Sequence, residues 1–247
     1  MESITSIPSL TSMPSFDKTT EYITFETMIP ILFTMLTTGL LIYIDNILKP
    51  LKGRYYIVHS LANAAIVALS IQDVISIYKN PYASMDESTT ALWSSSITYS
   101  VHFYHFASYY KTFRFDDWLH HILMIFVALP LAGYFGSLKL LSHSLFYTTG
   151  LPGMIDYALL SLVRNNKIQR FTEKSVNRLL NIMIRCPGCV IHSYLTLLLV
   201  QEVTTPVEQY IGVITGLLVY WNGVYFMDQV VGNYYIVAKE QQETKTN

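Results

Sequence analysis

Charge is scarce in this chain: Asp, Glu, Lys and Arg make up 13% of its 247 residues while 51% are hydrophobic, against a charged share of roughly 25% in soluble domains. So little charge cannot coat a globule with water-facing groups, which makes lipid the surroundings to consider first. The net charge of −1 and the lack of any basic run leave no attraction to nucleic acid, and no nucleic-acid partner is expected. Cysteine is limited to Cys186 and Cys189, too few for a disulfide framework. The Ser/Thr/Pro-rich residues 1–27 lack the basic start of a signal peptide, and no small-residue cleavage site follows the first apolar run. That run reads as a retained anchor.

What the chain has instead is long apolar runs. Crossing about 30 Å of hydrocarbon takes roughly 20 residues, and stretches near 28–48, 55–78, 91–110, 117–136, 140–163, 178–200 and 209–236 qualify. Strands would leave backbone amides unsatisfied in lipid, so the spans are expected to be helices. The fold class is therefore all-α: a multi-pass transmembrane helical bundle of about seven spans. Twelve of the sixteen Lys and Arg residues fall in loops on one side of such a bundle and three on the other, with Arg185 inside a span. The positive-inside bias puts the N-terminus in the lumen or outside and the C-terminus in the cytosol.

Ionisable residues within the spans then take definite depths. His59, His102, His105, His120, His121, Asp156, Arg185 and Asp228 all fall in the cytosolic halves of six spans. Each would be costly against lipid, so they are expected to face one another around a polar cavity. Ser95, Thr98, His102, His105 and Tyr109 form one helical stripe; Asn181, Arg185, Gly188 and His192 form another. At the start of the fourth span, Asp116 and His120, and Asp117 and His121, stand four residues apart. A carboxylate so placed can fix an imidazole's tautomer and raise its basicity, which suits a general base or a nucleophile's partner. The same aspartates would also serve as helix caps, and His59 and His143 alone would read as hydrated interfacial residues. "RCPGCVIH" contains a C-x-x-C pair, but it has no second pair and follows no strand, so packing around Pro187 and Gly188 is the expected role.

The order "RYYIVHS", "DDWLHHILMI", a kinked span ending in basic residues, and "NRLLNIMIRCPG" resembles the TLC domain family of endoplasmic-reticulum membrane proteins over about residues 54–236. The resemblance implies a six-helix barrel around an intramembrane cavity, plus an N-terminal span. It divides the chain into a lumenal tail (1–27), an anchor and basic loop (28–53), the TLC-like domain (54–236) and a cytosolic tail (237–247). Members that make ceramide acylate a long-chain base with acyl-CoA and carry a double histidine, matched by His120 and His121, and an H-D-x-x-D motif. That motif is absent; "TTGLPGMIDY" stands in its place with Asp156 as the only acid.

Lipid acyl transfer is the expected chemistry if the protein is an enzyme. His120 and His121 would act as base or nucleophile, oriented by Asp116 and Asp117, with His59, His102, His105, Asp156, Arg185 and Asp228 binding substrate. Membrane lipids are the expected partners, acyl-CoA the co-substrate, and no metal or other cofactor is expected. A non-catalytic lipid binder, transporter or cargo adaptor is the first alternative. A His-rich metalloenzyme or an elongase-like enzyme is the second, weakened by the lack of an H-x-x-H-H box among seven histidines.

Overall fold

The computed structural model describes residues 25–135 and 138–246. Nearly all of the expected tail at 1–27 lies outside the described residues. Among those described, the architecture is all-helical with no β-sheet. The α-helices are α1 (Phe25–Ile47), α2 (Arg54–Lys79), α3 (Ala91–Tyr109), α4 (Phe115–Leu123), α5 (Leu129–Tyr134), α6 (Lys139–Leu145), α7 (Leu151–Arg164), α8 (Arg170–Leu180), α9 (Cys186–Glu202) and α10 (Pro206–Thr246). Three π-helical turns, Met124–Ala128, Phe146–Gly150 and Asn181–Arg185, join α4 to α5, α6 to α7 and α8 to α9 without a break. The described residues thus form seven continuous rods.

Five rods contain helices long and apolar enough to cross a membrane: Met28–Ile47, Arg54–Lys79, Asp117–Tyr134, Arg170–Glu202 and Pro206–Thr244. The other two, α3 and α6–α7, fall outside that group; both carry several Ser, Thr, His and Tyr residues along their length. The distribution of polarity is that of a membrane-embedded protein. Large apolar side chains point outward, with Phe126 72%, Met183 69% and Met35 67% exposed, while His59, Asn63, Ser94, Thr98, His143 and Glu173 are buried. In water such an outer surface would drive aggregation; in lipid it carries no cost.

The three π-turns share one cause. Each is followed two residues later by a proline: Pro130, Pro152 and Pro187. In each case the residue before the proline donates its N–H five residues back, to Met124, Phe146 and Asn181 respectively. A proline offers no N–H and its ring crowds the carbonyl four residues back, so a wider turn there relieves the clash while the rod continues.

Helix α2 lies at the centre, packed on α3, α6 and α7. It starts at Gly53, whose φ of +70° favours glycine and where a Cβ would sit 3.0 Å from Arg164 Cβ. Two polar knots hold its ends. Near α2's start, Asp45 of α1 pairs with Arg54 at 3.1 Å and accepts from Tyr104 and Tyr109 of α3 at 3.0 and 2.8 Å. Near its end, Asp73 accepts from Ser88 and Ser142 at 2.5 and 2.6 Å, tying the 80–90 loop and α6 to α2. Through the first knot, and through Ser100 donating to the Thr34 carbonyl at 3.0 Å, α1 is bonded into the bundle along α3.

Close helix approach falls where the sequence places glycine. A Cβ on Gly188 would collide with the Tyr147 ring, and one on Gly223 would sit 2.6 Å from Cys189 Cβ. Cys189 is fully buried, and both cysteines are free thiols. The C-x-x-C segment thus lies where α9 packs against α10. At 41 residues, α10 is about 60 Å long, twice the hydrocarbon thickness.

Candidate functional site

Five of the seven histidines form one cluster at the end of the bundle where α2 begins, α3 ends and α4 begins. His121 Nε2 lies 2.7 Å from His105 Nδ1. The His102 ring centroid is 5.3 Å from that of His121 and 5.4 Å from that of His120, and His59 stands 5.5 Å from His105. Tyr55 and Tyr157 pack on His59 at 4.0 and 4.9 Å, and Phe113 stacks on His121 at 4.8 Å. His120 is exposed at the edge, whereas His59, His102 and His121 are buried.

Backbone hydrogen bonds set two tautomers. His59 Nδ1 faces the Tyr55 carbonyl at 2.9 Å and His102 Nδ1 the Thr98 carbonyl at 2.8 Å. A carbonyl only accepts, so in both neutral rings Nδ1 carries the proton and Nε2 the lone pair. Among the described residues, His102 Nε2 and His121 Nδ1 are buried with no partner. Leaving such an atom unbonded costs about 1–3 kcal/mol, so the cluster is arranged to receive a polar group at those two nitrogens.

Arg185 lies at the junction of the third π-turn and α9, within electrostatic reach of His120. Its Nη2 donates to the Thr148 carbonyl at 2.8 Å and to Asn222 Oδ1 at 3.1 Å, and its guanidinium covers the Phe226 ring at 4.0 Å. Thr148 is four residues before Pro152, which has no N–H to offer that carbonyl; the arginine supplies one. Among the described residues no carboxylate forms an ion pair with Arg185, and its buried Nε has no partner.

Several expected placements are corrected. The Asp117 carboxylate makes no hydrogen bond to His121: it accepts from the Arg114 backbone N–H at 2.9 Å and closes the first turn of α4 as a cap, within electrostatic reach of His105, His120 and His121. The cap geometry wins because the start of a helix presents unsatisfied N–H groups at that spot. The Asp116 side chain lies outside the described residues. Asp156 belongs to a neighbouring knot, accepting from Asn177 Nδ2 at 2.7 Å; Asn181 in turn donates to Asn177 Oδ1 at 2.7 Å, and the buried Glu173 pairs with Lys174 at 3.1 Å. Asp228 is on the exposed face of α10, six residues beyond Asn222, and makes no hydrogen bond or ion pair among the described residues. His143, expected to be hydrated at an interface, is completely buried beside His192 in the opposite half of the bundle. Three members of the stripe on the sixth span meet the fifth, Arg185 at Thr148, Gly188 at the Tyr147 ring and His192 at His143, while Asn181 bonds Asn177 of its own rod.

A cavity of about 60 Å³ lies beside the cluster. Its walls come from α4 and α5, the Phe146–Gly150 region and α10, and include Thr148 and Asn222, the two partners of Arg185. No histidine lines it. Among the described residues no group of three or more His, Cys, Asp or Glu side chains could hold a metal ion.

Tyr55, Tyr157, Asn177 and Glu173 carry little signal in the sequence, because Tyr and Asn near a span's end are common. Glu173 stands out only once the helix of the sixth span is extended back to Arg170, where α8 begins, since that places a carboxylate inside the rod. No family model, curated protein or solved structure matches the chain.

Proposed function

We propose that this is a seven-span, TLC-like membrane protein of the endoplasmic reticulum that handles lipids, with its N-terminus lumenal and C-terminus cytosolic. The observation that carries the reading is an arginine with no ion-paired carboxylate beside a cluster of imidazoles. Arg185 has no carboxylate partner among the described residues, and the neighbouring histidines present two buried ring nitrogens with nothing bound. An anionic lipid head that also carries a hydroxyl answers both, because its oxygens accept from the guanidinium and its hydroxyl donates to the lone pair on His102 Nε2. The mostly apolar cavity lined by Thr148 and Asn222 gives a first apolar wall beside that head.

If turnover occurs, acyl transfer from acyl-CoA is the chemistry proposed, with His121 or His102 as the proton acceptor. A second reading, non-catalytic lipid binding or transport, is favoured by one specific observation: Asp117 is committed to the α4 cap, so it does not orient His121 as a base. The test is to supply purified protein in nanodiscs with radiolabelled acyl-CoA and a panel of lipid acceptors, in parallel with equilibrium binding of a labelled fatty acid. Turnover that is lost in His121→Ala supports the enzyme; binding without turnover supports the carrier. The absence of both binding and turnover would overturn the lipid reading.

A further inference from the structure

Of the five clustered histidines, three hold a fixed or outer place. His59 and His102 each give their Nδ1 proton to a backbone carbonyl, so either ring can accept at Nε2 but can pass nothing on without breaking that bond. His120 stands open at the edge. His105 and His121 differ. They are bonded to each other, Nδ1 to Nε2 at 2.7 Å, and among the described residues no backbone carbonyl holds either ring.

The bonded pair has an inner and an outer end. His121 is 4% exposed, and its Nδ1 is buried with no partner among the described residues. His105 is half-buried near the end of α3, and its Nε2 is not closed in without a partner. Phe113 lies against both rings, 4.8 Å from His121 and 4.7 Å from His105, and Tyr55 packs on His105 at 4.7 Å. This aromatic wall shields the bond from water, so the two rings bond each other rather than solvent. A neutral imidazole has one N–H and one lone pair, which gives the pair two states. In the first, His121 donates from Nε2 and keeps its lone pair on Nδ1. In the second, His105 donates from Nδ1, and His121 carries its proton on Nδ1. Going from the first to the second takes a proton in at His121 Nδ1, moves one across the bond and releases one from His105 Nε2. Both states are neutral, so no charge is left on a buried ring, where it would lack water to solvate it.

We propose that His105 and His121 form one proton relay, with His121 Nδ1 as the base for the lipid's attacking hydroxyl and His105 Nε2 as the outlet to water. The hydroxyl proton passes to His121 Nδ1, and the electron pair it leaves behind forms the new bond to the acyl carbon. The thioester C–S bond breaks, and the leaving thiolate takes up from water the proton that His105 releases. His102 has no such outlet, because its second nitrogen is held by the Thr98 carbonyl. This deepens the acyl-transfer reading above and rests on it: the base is His121, and His105 is its positioning residue.

The first test needs no turnover. Protein with nitrogen-15 in its histidines is placed in bilayers, and the ring N–H of His121, identified in H2O by its loss in His121→Gln, is followed by solid-state NMR after transfer to D2O. The expected result is prompt loss of that signal in the wild type and its persistence in His105→Phe, which closes the outlet. A packing role for His105 predicts the opposite, since a loosened cluster lets water in faster. Persistence in the wild type, or equal or faster loss in the variant, would overturn the relay. His105→Gln keeps a polar side chain there and passes no proton, so it decides the matter if the Phe variant fails to fold. The second test uses acyl transfer. His105→Ala should lower kcat about a hundredfold at unchanged KM. Added imidazole should restore it, while 1-methylimidazole, which lacks an N–H to pass on, should not. Unchanged kcat, or equal rescue by both, would overturn the relay's part in turnover. If the wild type transfers no acyl group, the enzyme reading falls, and the exchange result still decides whether the two rings pass protons.

Discussion

His121 and His120 are neighbours in sequence with different surroundings: one is 4% exposed and bonded to His105, the other open at the edge. His121→Ala is therefore expected to abolish the lipid phenotype at normal protein level, and His120→Ala to reduce it only in part. Lipid profiling of cells carrying each variant checks the order, and equal effects would contradict it. Asp117→Asn separates capping from catalysis. Asn keeps an acceptor for the Arg114 N–H, so stability should fall by less than about 1 kcal/mol and the lipid phenotype should persist. Loss of the phenotype with a normal melting temperature would mean that the charge acts on the histidines after all. The pairing of Asp117 with His121 was legible as spacing only. Four residues apart on a helix makes a contact available, but the first turn's bare N–H groups compete for the same carboxylate, and sequence does not say which partner is nearer.

The rods themselves were legible. Their limits follow the apolar runs to within a few residues, apart from the polar start of α8 and the end of α10, because hydrocarbon length and charged loops leave little choice. The π-turns were not. A proline within an apolar run, such as Pro130 or Pro152, marks a disturbed turn, and nothing in the sequence says that the turn widens instead of breaking. Pro152→Ala is the informative change: it restores an N–H that competes with Arg185 for the Thr148 carbonyl. The expected outcome is a melting temperature equal to or above wild type together with reduced lipid binding, measured on the same preparation. A fall in both would point to simple misfolding. Gly188→Ala should cost stability, by about 1–3 kcal/mol, because the added methyl meets the Tyr147 ring. The Cys186→Ala, Cys189→Ala double variant should retain lipid binding. Its failure at normal protein level would make the C-x-x-C pair chemical.

Seven rods that all cross, joined by short turns, would put the chain's two ends on opposite faces of the membrane. A protease site appended after the last residue should be cut in intact microsomes, and a glycosylation acceptor placed in the 80–90 loop should be modified. Finding both on one side would mean that one of the two polar rods, α3 or α6–α7, does not cross.

The far half of α10 does not travel alone. Arg178 of α8 covers the Tyr234 ring at 4.4 Å, and Arg170 pairs with Glu240 at 3.3 Å. The two helices thus stand side by side over this stretch, and α10 is about 30 Å longer than the hydrocarbon is thick. A membrane's surface potential fades over a Debye length of about 8 Å at physiological salt. A pH-sensitive dye at residue 244 would therefore report the surrounding solution, with the same reading in neutral and in anionic bilayers.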